Sequence, residues 1–171
     1  LCKVKKSINF KDQLIYVGDE VTIEKIDPKS RRALITSLKK RKNLLVRPSV
    51  ANISNIYVTF SVKEPELNLS QVNRFLISAE AMGVEVSLVL TKCDLISKKR
   101  RSYLVDKFEK WGYQVKTLNL KKSDCFKNLL AHLKQKECSI FMGPSGVGKT
   151  TLLNMIIPGL QNSTASVSNK I

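Results

Sequence analysis

Ser139-Ile-Phe-Met-Gly-Pro-Ser-Gly-Val-Gly-Lys-Thr-Thr-Leu-Leu-Asn154 decides how the rest of the chain is read. The residues around Ile140-Phe-Met142 close an apolar run that predicts a strand over Glu137–Met142, and Lys149 opens a helical pattern that stops before Pro158-Gly159. Between them, Gly143 to Thr150 matches G-x-x-x-x-G-K-[ST] in the strand-to-helix setting that motif requires. Glycines at 143, 146 and 148 let the backbone wrap so that its N–H groups and the helix start face an anion. The predicted phosphate-binding set is Gly143, Pro144, Ser145, Gly146, Val147, Gly148, Lys149, Thr150 and Thr151. Lys149 and Thr150 are the candidate catalytic pair: the ammonium reaches the β and γ phosphates, and the Thr150 hydroxyl is placed to ligate Mg²⁺.

Upstream of this loop, apolar runs alternate with helical stretches, the pattern of a parallel sheet with crossover helices. Strands are predicted at Asn55–Ser61, Val84–Leu90 and Tyr113–Leu118, and helices at Ser70–Met82, Ser97–Trp111 and Ser123–Gln135. Thr91-Lys-Cys-Asp94 follows one of these strands and so falls at the carboxyl edge of the sheet, where nucleotides bind in open α/β folds. The phosphate loop alone does not separate ATP from GTP, and four residues do not settle it; Lys92 and Asp94 read equally as ordinary loop charges.

The first fifty residues differ. Short alternating stretches at Leu14–Val17, Val21–Ile26 and Ala33–Leu38, with turn signals at Gly18-Asp19 and Asp27–Ser30, predict an antiparallel all-β module closed as a small barrel. The chain of 171 residues carries 30 Lys and Arg against 14 Asp and Glu, a formal charge of +16. Residues 1–50 hold 13 basic and 5 acidic residues, and residues 51–171 hold 17 and 9, so equal net charge sits on unequal lengths. This is the footprint of a polyanionic partner, although lysine-rich surfaces also serve solubility. The cluster Lys39, Lys40, Arg41 and Lys42 is the candidate RNA contact. Only Phe10 and Tyr16 offer stacking rings there, which favours folded RNA recognised by charge and shape.

Other features narrow the class. No apolar run approaches the ~20 residues that span a bilayer, and Leu1–Lys6 has no signal-peptide pattern. Cys2, Cys93, Cys125 and Cys138 form no Cys-x-x-Cys pair, so neither a disulfide framework nor a zinc site is expected and a reducing cytoplasm fits. His132 is read as a surface residue on a helix away from both loops, and Trp111, with Phe75, Leu76 and Ala79, as core. Cys93 is given no chemistry of its own.

Thr91-Lys-Cys-Asp94 resembles the Asn-Lys-x-Asp guanine motif of the translation-factor class of GTPases. That resemblance implies that Asp94 accepts from the guanine edge and that the Lys92 stem packs over the base, with Thr91 and Cys93 completing the loop. Thr91 replaces an Asn whose amide braces neighbouring loops, and a hydroxyl supplies part of that bonding. The order is reversed relative to an ordinary GTPase, since Asp94 precedes Gly143; joining nearby termini and cutting elsewhere preserves such a sheet, so the chain reads as circularly permuted.

Taken with Val17-Gly-Asp19, Arg47-Pro-Ser-Val-Ala-Asn52, Glu64-Pro-Glu66 and the extended loop Gly143–Asn154, the chain resembles the ribosome small subunit-dependent GTPase A family. The resemblance implies an OB-fold barrel over 1–48 followed by an incomplete, permuted three-layer α/β/α GTPase domain over 49–171. It implies GTP hydrolysis to GDP and phosphate stimulated by the small ribosomal subunit and its rRNA, late in maturation of that subunit, by a cytoplasmic monomer needing Mg²⁺ and no membrane. A base-supporting Ser-Ala pair of the family falls at Asn119 and Leu120 here. The family's switch segment, Asp-x-x-Gly motif and zinc-binding domain would follow this chain, whose own part is expected to bind nucleotide better than it cleaves it. Rival readings are an ATPase or kinase sharing the phosphate loop, and a nucleotide-gated RNA-binding module without turnover.

Overall fold

A computed structural model describes residues 2–4, 14–30, 32–120 and 126–157. The expectations for Phe10, Cys125, Pro158-Gly159, the first residues of the Ser123–Gln135 helix and the polar stretch Gln161–Ser166 lie outside the described residues. The chain divides into two compact units, Leu1–Ile53 and Ser54–Ile171.

In the first unit, strands β1 (Cys2–Val4), β2 (Val21–Asp27) and β3 (Arg32–Leu38) form one sheet with β3 in the middle. β2 pairs antiparallel with β3, Val21 opposite Leu38, whereas β1 runs parallel to β3, Cys2 opposite Ala33; the sheet is mixed, not purely antiparallel. β4 (Leu44–Leu45) and β5 (Val50–Ala51) form a second, two-stranded antiparallel pair. Asp27 folds the expected turn back on itself, accepting from the backbone N–H of Lys29 and from the Ser30 hydroxyl at 2.6 Å. Leu14–Val17 is not a strand: Leu14 and Val17 are 69% and 76% exposed, and Val17 makes only an isolated bridge to Val50. Among the described residues, the buried apolar ones of the unit are Ile35, Leu45, Ala51 and Ile53.

In the second unit, four parallel strands run β8-β7-β6-β9, being β6 (Asn55–Ser61), β7 (Glu85–Thr91), β8 (Gln114–Thr117) and β9 (Ser139–Met142). β6 has a hydrogen-bonded strand on each side and all seven of its residues are buried, the apolar Ile56, Tyr57, Val58 and Phe60 together with the polar Asn55, Thr59 and Ser61. Helices α1 (Leu69–Glu80), α2 (Lys98–Lys110), α3 (Lys127–Lys134) and α4 (Lys149–Ile156) connect or follow the strands. Asn68 and Ser97 cap α1 and α2 by accepting from the backbone N–H groups of Gln71 and Arg100.

Strand alternation divides the core. Tyr57 and Val89 face one side with Leu118, Phe126, Leu129 of α3 and Leu152 of α4. On the other, Phe60 meets Phe75 of α1 edge to face at 5.6 Å. Leu76 and Ala79 are buried as read from sequence, and Phe75 is half-buried. Trp111 is corrected: it is 41% exposed, standing edge-on to the buried Phe108, which takes the inward position at the end of α2.

His132 is also corrected. It lies on α3 as expected, but its side chain is only 17% exposed. The Tyr57 hydroxyl and His132 Nδ1 are 2.9 Å apart, His132 Nε2 lies 3.2 Å from Glu85, and Lys136 Nζ lies 2.6 Å from the same carboxylate. These contacts tie α3 to the amino-terminal ends of β6 and β7. Burial, reinforced by the charge of Glu85, pushes the Tyr57 hydroxyl up to about 12, so it stays neutral. The Lys136 ammonium holds the Glu85 carboxyl below its ordinary value. A depressed carboxyl stabilises the fold above its unfolded pKa and loses that contribution as pH falls through the folded value. Because the Glu85 side chain is 38% exposed, Glu85→Gln should lower stability at pH 7 by no more than about 1 kcal/mol. Urea unfolding should show the gap from wild type narrowing as pH falls below the ordinary glutamate range; a gap independent of pH would show that the carboxylate pairing contributes nothing.

Candidate functional site

The chain passes from β6 to β7 to β8 on one side and then crosses to place β9 on the other side of β6. The strand order therefore reverses between β6 and β9, and the crevice outside the carboxyl ends of the strands at such a reversal is where open α/β sheets hold ligands. Both sequence-predicted loops emerge at that edge: Thr91 ends β7 and Gly143 follows β9.

The 143–148 segment is forced by contact as much as by sequence. A Cβ on Gly143 would stand 2.0 Å from the Thr59 carbonyl oxygen, and one on Gly148, whose φ is +93°, would stand 2.5 Å from Leu120 Cδ1. Both places need a residue without a side chain. Gly148 then starts α4, its carbonyl accepting from Leu152 N–H at 2.9 Å, which leaves Thr150 and Thr151 in the first turn. Lys149 curls back inside the loop and donates to the carbonyls of Gly143 at 2.8 Å and Pro144 at 2.6 Å. Burial pushes its ammonium below the ordinary lysine value. Val147 is buried and Ser145 is exposed at the tip.

The Thr91 end of the site is a tight turn. Lys92 adopts a left-handed conformation, φ 55°, leading into a short 3₁₀ turn over Cys93–Leu95. Lys92 Nζ donates to the Glu64 carbonyl, and Cys93 N–H donates to the Leu118 carbonyl beyond β8 at 3.2 Å, joining the turn to the strand on each side. Cys93 is buried, its thiol 3.2 Å from the Leu90 carbonyl, whereas Asp94 is exposed. Glu64, Lys92, Asp94, Leu95 and Leu120 line a cavity of about 250 Å³. Asn119 is half-buried just before Leu120.

The two loops are joined directly. Thr91 is fully buried, and its hydroxyl donates to the Val147 carbonyl at 2.6 Å, with the Phe60 carbonyl farther off at 3.3 Å. One hydroxyl has one proton, so the shorter contact receives it. Thr91 thus spans the loops as an amide brace would, and Leu120 adds an apolar contact over Gly148. The Thr59 and Glu64 carbonyls take part in the site without a signal in the sequence, even though Glu64 lies in the Glu64-Pro-Glu66 motif, because backbone carbonyls leave no side-chain signature.

Lys39, Lys40, Arg41 and Lys42 belong to the first unit and are described apart. Lys39, Lys40 and Lys42 are exposed, with Lys39 3.1 Å from Glu20. Arg41 is turned inward: it donates to both oxygens of Asp19, at 2.6 and 2.7 Å, and lies 4.9 Å over the Tyr16 ring. That bidentate pair holds the Asp19 carboxyl below its ordinary range. Among the described residues, no group of three or more His, Cys, Asp or Glu is placed to hold a metal, and no helix is long and apolar enough to cross a membrane.

A parallel sheet, a glycine-rich strand-to-helix loop and a second loop that precedes it in sequence yet meets it in space define a permuted α/β fold of the GTPase type. Residues 38–171 match the family model described as RsgA GTPase. Over all 171 residues the chain is 37% identical to the small ribosomal subunit biogenesis GTPase RsgA of Prochlorococcus marinus strain NATL2A and 38% identical to that of Synechococcus sp. strain CC9605, covering 55% and 56% of those proteins. The crystal structure of YjeQ from Thermotoga maritima superposes with a TM-score of 0.81 at 32% identity, over 96% of this chain and 59% of that one. YloQ, a circularly permuted GTPase, gives 0.73 at 27% identity over 90% of this chain and 54% of that one. The chain belongs to the RsgA GTPase family, and it spans about half the length of the curated relatives it matches.

The Thr91 hydroxyl gives a direct test of the joint. Thr91→Val keeps the shape but leaves the Val147 carbonyl without its donor, at an expected cost of about 1–3 kcal/mol in unfolding free energy. Thr91→Ser should recover most of it. Equal stability of the Val variant and wild type in urea titrations would show that the bond contributes nothing.

Proposed function

We propose that the chain forms part of a protein that binds GTP and hydrolyses it to GDP and phosphate in a small-ribosomal-subunit-dependent manner, acting in late maturation of that subunit in the cytoplasm. The observation that carries this reading is the Thr91–Val147 bond, which sets the turn at 91–94 against the glycine-rich loop at 143–148 on one sheet edge. The names of the relatives supply the ribosomal part of the reading.

In this reading the triphosphate lies along residues 143–151. The backbone N–H groups and the start of α4 hold its oxygens, and the Lys149 ammonium exchanges the carbonyls of Gly143 and Pro144 for the β and γ phosphates. Mg²⁺ fits the donor set: it takes a hard oxygen such as the Thr150 hydroxyl together with phosphate oxygens and water, and needs no carboxylate cage. When bound, it would neutralise charge developing on the phosphates. The described residues offer no zinc ligand group, and no step runs through zinc. Asp94, at the mouth of the Glu64–Leu120 cavity, accepts from the guanine edge, with Lys92, Cys93, Asn119 and Leu120 shaping the pocket. Residues 1–48 would act as an OB-fold-like RNA-binding barrel and 49–171 as the GTPase domain. In that barrel Lys39, Lys40 and Lys42 would meet phosphates while Arg41 organises the loop through Asp19.

Lys149→Ala should weaken triphosphate binding at least a hundredfold by isothermal titration, and wild-type affinity in that variant would remove the phosphate-loop assignment. Asp94→Asn should shift preference from guanosine to xanthosine nucleotides, read by competition between GTP and XTP. Turnover of GTP by the complete polypeptide should rise on adding small ribosomal subunits. A rate indifferent to them would leave a nucleotide-binding protein without the ribosomal role.

A further inference from the structure

Helix α2 carries a surface that the nucleotide site does not use. Between Lys98 and Lys110 there are six basic and two acidic residues. Leu104 and Phe108 are the buried positions of the helix. The outer face presents Arg100, Tyr103, Lys107 and Trp111 at spacings of three and four, so they form one stripe. Tyr103 is 52% exposed and Trp111 41%. Arg100 lies 5.3 Å from the Tyr103 ring centre, and Lys107 lies 6.0 Å from Tyr103 and 5.6 Å from Trp111. Cation and ring therefore alternate along the helix. A rise of ~1.5 Å per residue sets the two rings on the order of 12 Å apart. Tyr103, Asp106, Lys107, Lys110 and Trp111 line a groove of about 300 Å³.

We propose that this stripe is a second nucleic-acid contact, taking single-stranded RNA with bases against Tyr103 and Trp111 and phosphates on Arg100, Lys107 and Lys110. A face kept charged only for solubility has no use for two exposed rings, whereas a single strand presents base faces and phosphates in alternation. An A-form duplex hides its base faces and leaves the rings without partners. Asp106 repels a ligand offering charge alone but accepts from a base amino group or a 2′-hydroxyl, so an acidic protein is a poorer fit. The proposal goes beyond the GTP reading and does not require it.

Trp111 is the only tryptophan in the chain, so its fluorescence reports on this surface alone. Titrating the full chain with the unlabelled single-stranded RNA (UC)6 should quench it saturably. Tyr103→Ala should weaken that response on the order of tenfold. Arg100→Gln combined with Lys107→Gln should make the log–log salt dependence shallower by about 1.4, at ~0.7 per lost phosphate contact. All these positions are on the outer face, and circular dichroism checks that the variants fold. Quenching that persists in Lys39→Ala/Lys40→Ala/Lys42→Ala would confirm a site apart from the first unit. Labelled RNA that binds by anisotropy without quenching Trp111, and is released by that triple variant, would overturn the α2 proposal while leaving the barrel reading intact. Equal quenching by polyglutamate would overturn the assignment to RNA.

Discussion

Everything in the second unit is arranged around the complete burial of β6. A strand with neighbours on both edges and side chains packed on both faces can spare no residue for solvent, and its Asn55–Ser61 sequence complies. Parallel pairing requires each neighbour to begin at the same end, so each connection must cross over the sheet and every strand must stop at the same edge. Two loops 49 residues apart in sequence, at Asp94 and Gly143, are brought to one crevice by that requirement. The order in which they occur along the chain is irrelevant to it, and a permuted sequence therefore builds the same edge.

The odd-numbered face of β6 and β7 serves two purposes. Near its start, Tyr57 and Glu85 hold α3 through His132; near its finish, Thr91 holds the phosphate loop. Between them the apolar cluster of Val89, Leu118, Leu129 and Leu152 fixes α3 and α4. On this face the groups that orient neighbouring elements stand near its two ends, and the buried hydroxyls of Thr59 and Ser87 lie between them with the apolar residues.

Much of this unit is legible in the sequence because its signals are long. The strand Asn55–Ser61 is recovered residue for residue, and α1, read as Ser70–Met82, is found at Leu69–Glu80. The strand–loop–helix order around Gly143 follows from glycine spacing between apolar runs. What escaped was short, or lay far apart along the chain. β4 and β5 are two residues each, below the length at which alternation can be seen. Leu14–Val17 is apolar enough for a strand, but among the described residues its pairing stops at one bridge, from Val17 to Val50, which is too little to make one. Trp111 is apolar enough for a core, yet Phe108 already fills the inward position and Lys107 sits over its ring. His132 and Tyr57 are 75 residues apart, and nothing local to either announces the other. In the candidate site, residue types were readable but their partners were not. The Thr91 hydroxyl was expected to brace loops; that it would do so through Val147 alone depends on the fold.

The bonds from Lys149 to the carbonyls of Gly143 and Pro144 bear on how such a loop lets go. An ammonium already satisfied by its own backbone does not present its full charge to an arriving anion, because the incoming oxygens must displace acceptors that stay within reach. The affinity of the loop is then a difference between two sets of hydrogen bonds, and departure of the anion leaves no orphaned cation behind. In the reading proposed above, such a loop contains its own competitor, tethered beside the ammonium, and would be suited to exchanging an anion as much as to holding it.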